Sequence, residues 1–537
     1  MTTIREATYD LLRSNGMRTV FGNPGSNELL FLKDFPEDFE YVLGLHEGAV
    51  VAMADGYAQA TGRPTLVNLH AAAGTGNGMG VLTNSVYSHS PLVITAGQQV
   101  RDTVGQEVML ANMDAAQLPR PLVKWSAEPL AATDVPRTLS QAIHMATLPA
   151  PGPVYVSVPY DDWEREADRN THHLARRTVT AAAALAEDQL AEIAAEIDAA
   201  QHPVLVLGPD VDAERANGHA VALAERLGCP VWIAPSPARC PFPNTHPLFR
   251  GVLPANVTSI RELLSGHDLV VVAGAPVFRY HHHRPGHFLD EGTELIHLSN
   301  DPSEVARAPF GRAYLAPVGD SLARLAAAVA PRTHASRTTG TTAAGQAGAA
   351  RAQAPAGVDR ADRLHPDTVF RTLAETAPEG VVYVNESTST ADSFWNNAVL
   401  EGQGSFYSPA SGGLGFGLPA AVGVQLAHPE RRVVATIGDG SANFGITGLW
   451  TAAQYGIPVV FVILNNGTYG ALRRFTRALD TGETPGLDVP RIDFVHLANG
   501  YGVAAESVNT AEELRTALQK AFAGNVPVLI EARTYFE

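Results

Sequence analysis

Two apolar runs toward the carboxyl end of the chain stop at turns that carry metal-type oxygen ligands, and this pairing constrains the fold more than any other feature. Arg432-Val433-Val434-Ala435-Thr436-Ile437 leads into Gly438-Asp439-Gly440-Ser441, and Ile457-Pro458-Val459-Val460-Phe461-Val462-Ile463-Leu464 leads into Asn465-Asn466-Gly467. Apolar runs of this kind, bounded by Gly and Asn turns, read as buried parallel strands, with a helical crossover predicted around Ala442 to Tyr455. A carboxylate and an amide oxygen then stand at the carboxyl ends of two strands, the edge at which open α/β sheets take ligands. Hard oxygen donors there suit a magnesium ion gripping a diphosphate. Either turn alone is a common loop former; the two together, at this spacing and after such strands, point to a metal site.

Strand-like runs alternate with helical patterns from end to end, the signature of parallel sheets with crossover helices. The 537 residues exceed what one hydrophobic core serves. Three sets of strands separate. The first, over 1–178, contains Thr19–Gly22, Thr65–Leu69, Pro91–Thr95 and Val154–Val158, and ends in a polar connection from Asp161 to Arg177. The second, over 179–331, contains Pro203–Gly208, Pro230–Ile233 and Asp268–Val272. Its Gly208-Pro209 and Gly274-Ala275-Pro276 turns lack the Gly-x-Gly-x-x-Gly series, so this domain is expected to have no cofactor of its own. A linker rich in Ala, Gly, Thr and Pro is expected over 332–362. The third set, over 363–537, adds Val381–Val384 and Val528–Glu531 to the two strands that open the argument. The expected class is thus α/β, in three domains, each an open and mostly parallel sheet flanked by helices.

A net charge of −17 speaks against a nucleic-acid surface, which needs clustered Lys and Arg. An anionic cofactor must then be held by a metal and backbone amides. The two cysteines, Cys229 and Cys240, show neither Cys-x-x-Cys nor zinc spacing. The first residues carry Arg5, Glu6, Asp10 and Arg13 and form no apolar signal core, and no long uncharged apolar run follows. A cytoplasmic enzyme without a membrane partner is expected.

The first domain holds a second group of chemistry-bearing residues. Glu47 opens an Ala-rich helical segment, a setting that fits either an acid for proton transfer or a carboxylate that complements a helix dipole. Ser26 lies in the sharp Gly/Pro turn Phe21-Gly22-Asn23-Pro24-Gly25-Ser26-Asn27-Glu28, and His70 ends a strand just before Ala71-Ala72-Ala73-Gly74-Thr75-Gly76-Asn77. Both stand where strand ends face a cleft, although a lone Ser in a turn and a lone His at a strand end are commonly structural.

The GDGS and NN turns resemble the metal-diphosphate motif of thiamine diphosphate (ThDP) enzymes, and three α/β domains in this order resemble the ThDP decarboxylase and acetolactate synthase superfamily. That resemblance implies the ThDP-binding fold for the first and third domains, with aminopyrimidine on the first and diphosphate on the third. It implies metal ligation by the side chains of Asp439 and Asn466 and by the carbonyl of Thr468, with Mg²⁺ or, in its place, Ca²⁺. Gly440, Ser441 and Tyr469 would lie near the phosphates. Glu47 would activate the aminopyrimidine.

FGNPGSNE, LHAAAGTGN, SHSPLVITAGQQ, GAPVFRYH, NESTST, GGLGFGLPAA, ILNNGTYGALR and PGLDVP, spread from residue 21 to residue 490, further resemble the benzoylformate decarboxylase family. What this implies is non-oxidative decarboxylation of an aromatic 2-oxo acid, benzoylformate or a related arylglyoxylate, to the aldehyde and carbon dioxide through a ThDP ylide and enamine. Ser26 would contact the substrate carboxylate. His70, and His281 from the middle domain, would manage protons; alignment on Phe278-Arg279-Tyr280 selects His281 from the run His281-His282-His283. Leu414 would wedge the cofactor into its bent shape, the Gly412 carbonyl would meet the aminopyrimidine, and Thr388 and Ser389 would line the cofactor channel. The resemblance also implies a homodimer as the smallest active unit and a homotetramer, as a dimer of dimers, for the assembly.

The substrate pocket is where this sequence departs. Ser408-Pro409 stand where familiar members of the family have Phe-Cys, and Arg474 stands for Trp, while Ala471, Leu472 and Phe475 are kept. An Arg there would attract a second anionic group or face solvent. The rival reading is a ThDP-dependent carboligase of the acetolactate synthase or benzaldehyde lyase type. A non-catalytic binding subunit of the same fold would not need both Glu47 and the metal pair.

Overall fold

The apolar runs fold into three separate six-stranded sheets in a computed structural model that describes residues 2–281, 283–332 and 357–536. His282 and most of the expected linker, residues 333–356, lie outside the described residues. The first sheet contains β1 (Thr19–Gly22), β2 (Glu40–Leu43), β3 (Thr65–Leu69), β4 (Leu92–Gln98), β5 (Trp125–Ala127) and β6 (Val154–Pro159), in the order β2-β1-β3-β4-β6-β5. The second contains β7 (Pro203–Leu207), β8 (Val231–Ile233), β9 (Phe249–Val252), β10 (Leu269–Ala273), β11 (Glu294–Ser299) and β12 (Arg312–Leu315), in the order β12-β11-β10-β7-β8-β9. The third contains β13 (Val382–Glu386), β14 (Phe406–Tyr407), β15 (Val433–Gly438), β16 (Val460–Asn465), β17 (Ala504–Val508) and β18 (Val528–Arg533), in the order β14-β13-β15-β16-β18-β17.

All these strand pairings are parallel. Inner strands such as β3, β7 and β10 are buried along their whole length, as sheets covered by helices on both faces require. The crossover expected around Ala442 to Tyr455 is two helices, Asp439–Gly445 and Gly448–Gln454. At this junction Gly445 and Gly448 both lie close to Pro419: a Cβ would lie 2.8 Å from its ring at the first and 3.2 Å from it at the second.

Each sheet has a reversal where two neighbouring strands connect onward in opposite directions, and crevices open at such points. In the first sheet the reversal lies between β1 and β3, whose ends carry Ser26 and His70. In the third it lies between β13 and β15, whose ends carry Thr388 and Asp439. In the second it lies between β7 and β10, where the Asp210 N–H donates to the Gly274 carbonyl at 3.2 Å and His89 of the first domain meets Asp210, Nδ1 to Oδ1, at 2.9 Å.

The first and third domains of one chain meet through two helices, Glu47–Thr61 and Gly417–Ala427. Close approach at this crossing depends on glycine. A Cβ on Gly56 would sit 2.3 Å from the Ala420 carbonyl oxygen, and one on Gly423 would sit 1.9 Å from that of Met53. Arg239 ties the three domains together. Its guanidinium pairs with Asp212 at 2.9 Å, donates to the Gln59 carbonyl and lies over the Tyr407 ring.

Candidate active site

Register between β15 and β16 pairs Gly438 with Leu464, which sets Asp439 beside the Asn465-Asn466-Gly467 turn. Asp439 Oδ1 accepts the Gly440 N–H at 2.9 Å and Oδ2 accepts the Gly467 N–H at 2.7 Å, so the two halves of the motif are bonded to each other. Asp439 is 3% exposed and forms no ion pair among the described residues. Burial pushes its carboxyl up to about 6, against the pull of those N–H groups. Asn466 Oδ1 accepts the Thr468 N–H at 2.9 Å, and the Thr468 carbonyl accepts the Gly470 N–H at 2.9 Å. Each of these oxygens keeps a second lone pair. A buried carboxylate without a cationic partner, next to two such neutral oxygens, fits a hard divalent ion. Gly440 lies under the Tyr469 ring, where a Cβ would meet it at 2.6 Å, and Ser441 follows, buried.

Gly412 and Leu414 lie on the loop that precedes the helix Gly417–Ala427. Gly412 is exposed, with φ of 76°, and Leu414 is half-buried. The stems of this loop are bound to Asn84 and Glu386. Thr388 is exposed; Ser389 lies against Gly470, where a Cβ would meet its Cβ at 2.9 Å.

In the first domain Glu47 opens its helix behind His46, whose Nδ1 accepts the Gly48 N–H at 3.0 Å. The carboxylate is buried, and each oxygen accepts one amide: Oε1 from Asn23 Nδ2 at 3.1 Å and Oε2 from Asn77 Nδ2 at 2.9 Å. His70 and Ser26 converge from the ends of β3 and β1. The His70 ring sits against Gly25, where a Cβ would come within 2.2 Å of it, so only glycine fits before Ser26. Glu28, 1% exposed, holds His70 Nδ1 at 2.8 Å while accepting the Gly25 and Gly97 N–H groups, both at 2.9 Å.

His281 is exposed and stands edge-on to Phe475, ring centroids 4.5 Å apart, whereas the described neighbour His283 lies 6.0 Å from Tyr280. Ala471, Leu472 and Phe475 lie on the helix Gly470–Leu479, with Leu472 48% exposed. Ser408 and Pro409 are half-buried; the Ser408 hydroxyl donates to the Pro237 carbonyl at 2.8 Å and its N–H to that of Ala238 at 3.0 Å, which ties the segment to the middle domain. Arg474 is half-exposed and 3.9 Å from Asp392, so it faces solvent.

The chain therefore brings together two groups, Ser26, His70 and Glu47 on one side and Asp439, Asn466 and Thr468 on the other, with His281 against Phe475. No hydrogen bond or ion pair among the described residues joins the two groups. Glu28, Asn23, Asn77, Asn84 and Glu386 were not singled out from sequence. The one signal for Glu28 is its place three residues after Gly25, the spacing at which a Glu reaches back to a free N–H.

Comparisons with known proteins agree along the whole chain. Residues 2–118 match the family description "Thiamine pyrophosphate enzyme, N-terminal TPP binding domain", residues 190–325 its central domain, and residues 389–532 its C-terminal TPP binding domain. A benzoylformate decarboxylase from Pseudomonas aeruginosa is 57% identical over 534 residues, covering 99% of each chain. The structure of a thiamine diphosphate-dependent 4-hydroxybenzoylformate decarboxylase from Rhodococcus jostii RHA1 is 60% identical, with a TM-score of 0.95 and 100% coverage of both chains. That of benzoylformate decarboxylase from Polynucleobacter necessarius is 38% identical, with a TM-score of 0.93 over 100% of this chain and 99% of the other. The chain belongs to the thiamine pyrophosphate enzyme family and, within it, to the benzoylformate decarboxylases.

Proposed function

We propose that this protein decarboxylates an aromatic 2-oxo acid, benzoylformate or a ring-substituted arylglyoxylate, to the aldehyde and carbon dioxide, with thiamine diphosphate held through Mg²⁺. The observation that carries the reading is the Glu28–His70 pair at 2.8 Å beside Ser26, with the buried Glu47 on the same domain. Such a set suits a substrate with a carboxylate to be held and a proton to be placed. Two relatives above 50% identity, named for benzoylformate and 4-hydroxybenzoylformate, support the substrate class.

Asp439, Asn466 and the Thr468 carbonyl would hold Mg²⁺, or Ca²⁺ in its place, with Gly440, Ser441 and Tyr469 around the phosphates. Thr388, Ser389, the Gly412 carbonyl and Leu414 would shape the space for the rings. Thiamine diphosphate supplies, when bound, a carbon nucleophile for the keto group and a sink for the electron pair that carbon dioxide leaves behind. Glu47 would exchange a proton with the aminopyrimidine, its orientation set by Asn23 and Asn77. Ser26 Oγ would hold the substrate carboxylate. With Nδ1 engaged by Glu28, His70 presents Nε2 to the substrate oxygen, and His281 is its partner in placing the proton that replaces carbon dioxide. Leu472 and Phe475, with the small Ala471, would give the substrate ring an apolar wall. A carboligase would need room for a second carbonyl compound; Ser26, His70 and His281 favour decarboxylation.

Within the chain the helix Glu47–Thr61 is already packed on Gly417–Ala427. Leu45, Met109, Met113, Phe444 and Leu472 remain exposed. Both facts support a site closed between the first domain of one subunit and the third of its partner, in a homodimer at least and a homotetramer as a dimer of dimers. No helix among the described residues is long and apolar enough to cross a membrane. The buried, unpaired Cys229 and Cys240 support a reducing, cytoplasmic setting.

Chelation of divalent metal and removal of thiamine diphosphate by dialysis test the proposal. Carbon dioxide release from benzoylformate is expected to fall to background and to return when both are restored; release that persists without them contradicts it.

A further inference from the structure

The loop Ser411–Gly417 carries the Gly412 carbonyl and the Leu414 side chain, and two buried side chains outside the proposed reaction hold its ends. Glu386, the last residue of β13, is 1% exposed. Its Oε1 accepts the N–H groups of Gly415 at 2.9 Å and Phe416 at 3.3 Å, and its Oε2 accepts that of Gly417 at 2.8 Å. Asn84 is wholly buried. Its Oδ1 accepts the N–H groups of Ser411 at 3.1 Å and Gly413 at 3.2 Å, and its Nδ2 donates to the Gly413 carbonyl at 2.7 Å.

Between these anchors the backbone has little freedom to choose another shape. Gly412 and Gly415 take φ of 76° and 94°, which L side chains avoid. A Cβ on Gly413 would lie 2.7 Å from the Gly80 carbonyl oxygen, and one on Gly417 would lie 2.8 Å from the Glu386 Cβ. Burial pushes the Glu386 carboxyl up to about 7 although the three N–H groups pull it down, and no cation pairs with it among the described residues. An ionisable group kept inside at that cost, with all three bonds to one loop, serves the loop and not the packing.

We propose that Glu386 and Asn84 are positioning residues that fix the Ser411–Gly417 loop in the shape that sets the Gly412 carbonyl and Leu414 against the organic rings of the cofactor. This rests on the assignment of Gly412 and Leu414 above. Neither residue is hydrogen-bonded to Asp439, Asn466 or Thr468, so the rings and the diphosphate are held by separate parts of the protein.

Calorimetric titration of the metal-loaded apoprotein with thiamine diphosphate and, separately, with inorganic pyrophosphate tests it. Glu386→Gln places an NH₂ group against one set of N–H donors. Its affinity for thiamine diphosphate is expected to fall about tenfold, the worth of a charged hydrogen bond, while pyrophosphate binds as in the wild type. Asn84→Ser, whose hydroxyl is too short to reach the loop, is expected to show the same split and decides the matter if Glu386→Gln does not fold. Unchanged affinity for thiamine diphosphate in a folded variant overturns the proposal, and so does an equal loss for both ligands, which marks a general structural role. A wild-type protein that binds the two ligands equally well would instead remove the assignment of Gly412 and Leu414, and the proposal with it.

Discussion

His70 Nδ1 lies 2.8 Å from Glu28 Oε2, and Glu28 is itself locked by the main-chain N–H groups of Gly25 and Gly97. A carboxylate only accepts hydrogen bonds, so Nδ1 carries the proton and Nε2 is left for the substrate side. Glu28→Gln presents an amide that can turn its NH₂ toward the ring and favour the wrong tautomer. The expected outcome is a fall in kcat of about a hundredfold, the scale of acid–base assistance, with little change in cofactor affinity. Steady-state kinetics and a thiamine diphosphate titration of the variant check it.

The residues that were legible before the structure share one property. Every inner strand except β11 could be read from its apolar run, whereas all six edge strands, β2, β5, β9, β12, β14 and β17, were not. Inner strands are buried on both faces and lose their polar residues. Edge strands such as Arg312–Leu315 and Ala504–Val508 keep exposed positions and look like loops, while β11 is masked by the exposed Glu294 at its start and the buried His297 within it. Asp439 and Asn466 were legible because each directly follows an inner strand. Glu28, Asn84 and Glu386 were not, because they act on main-chain N–H groups of distant loops, and no periodicity encodes that.

The assembly can be read from complementation. Glu47→Gln and Asp439→Ala should each be nearly inactive alone, with the fold retained. If the site is shared between subunits, a mixed dimer holds one intact site and one doubly defective site. Coexpression should then restore roughly a quarter of wild-type activity, because half of randomly paired dimers are mixed and each keeps one of its two sites. Activity that stays at the level of the single variants would mean that Glu47 and Asp439 serve the same cofactor within one chain.

Ser408 donates its hydroxyl to the Pro237 carbonyl at 2.8 Å. Ser408→Ala is expected to lose about 1 kcal/mol of stability, the net worth of one neutral hydrogen bond, with KM for the arylglyoxylate little altered. Chemical denaturation and substrate saturation curves separate the two effects.

The junction of the first and middle domains should depend on pH. His89 stands between Asp210 at 2.9 Å and Asp301 at 3.5 Å, with Glu304 in the same cluster. Burial alone would lower its pKa, but the Asp210 charge and the hydrogen bonds to Asp210 and Asp301 outweigh it and raise it well above 6.5. The protonated ring thus stabilises the folded state fully below pH 6.5, and this is lost as pH rises through the raised value. Burial and the Asp210 charge push Glu304 up to about 7, so its ionisation in the folded state weakens the junction in the same direction. The Tm advantage of wild type over His89→Gln should be largest in mildly acidic buffer and shrink toward alkaline pH; an advantage that grows with pH contradicts this assignment.

The most direct test of the account is to give the purified protein, with thiamine diphosphate and Mg²⁺, benzoylformate, 4-hydroxybenzoylformate, a branched aliphatic 2-oxo acid and pyruvate, and to measure carbon dioxide and identify the organic product of each. The account predicts that the two arylglyoxylates yield carbon dioxide and the corresponding aldehyde in equal amounts, with higher kcat/KM than the aliphatic acids. No decarboxylation of either arylglyoxylate, or an acyloin as the sole product, would contradict it.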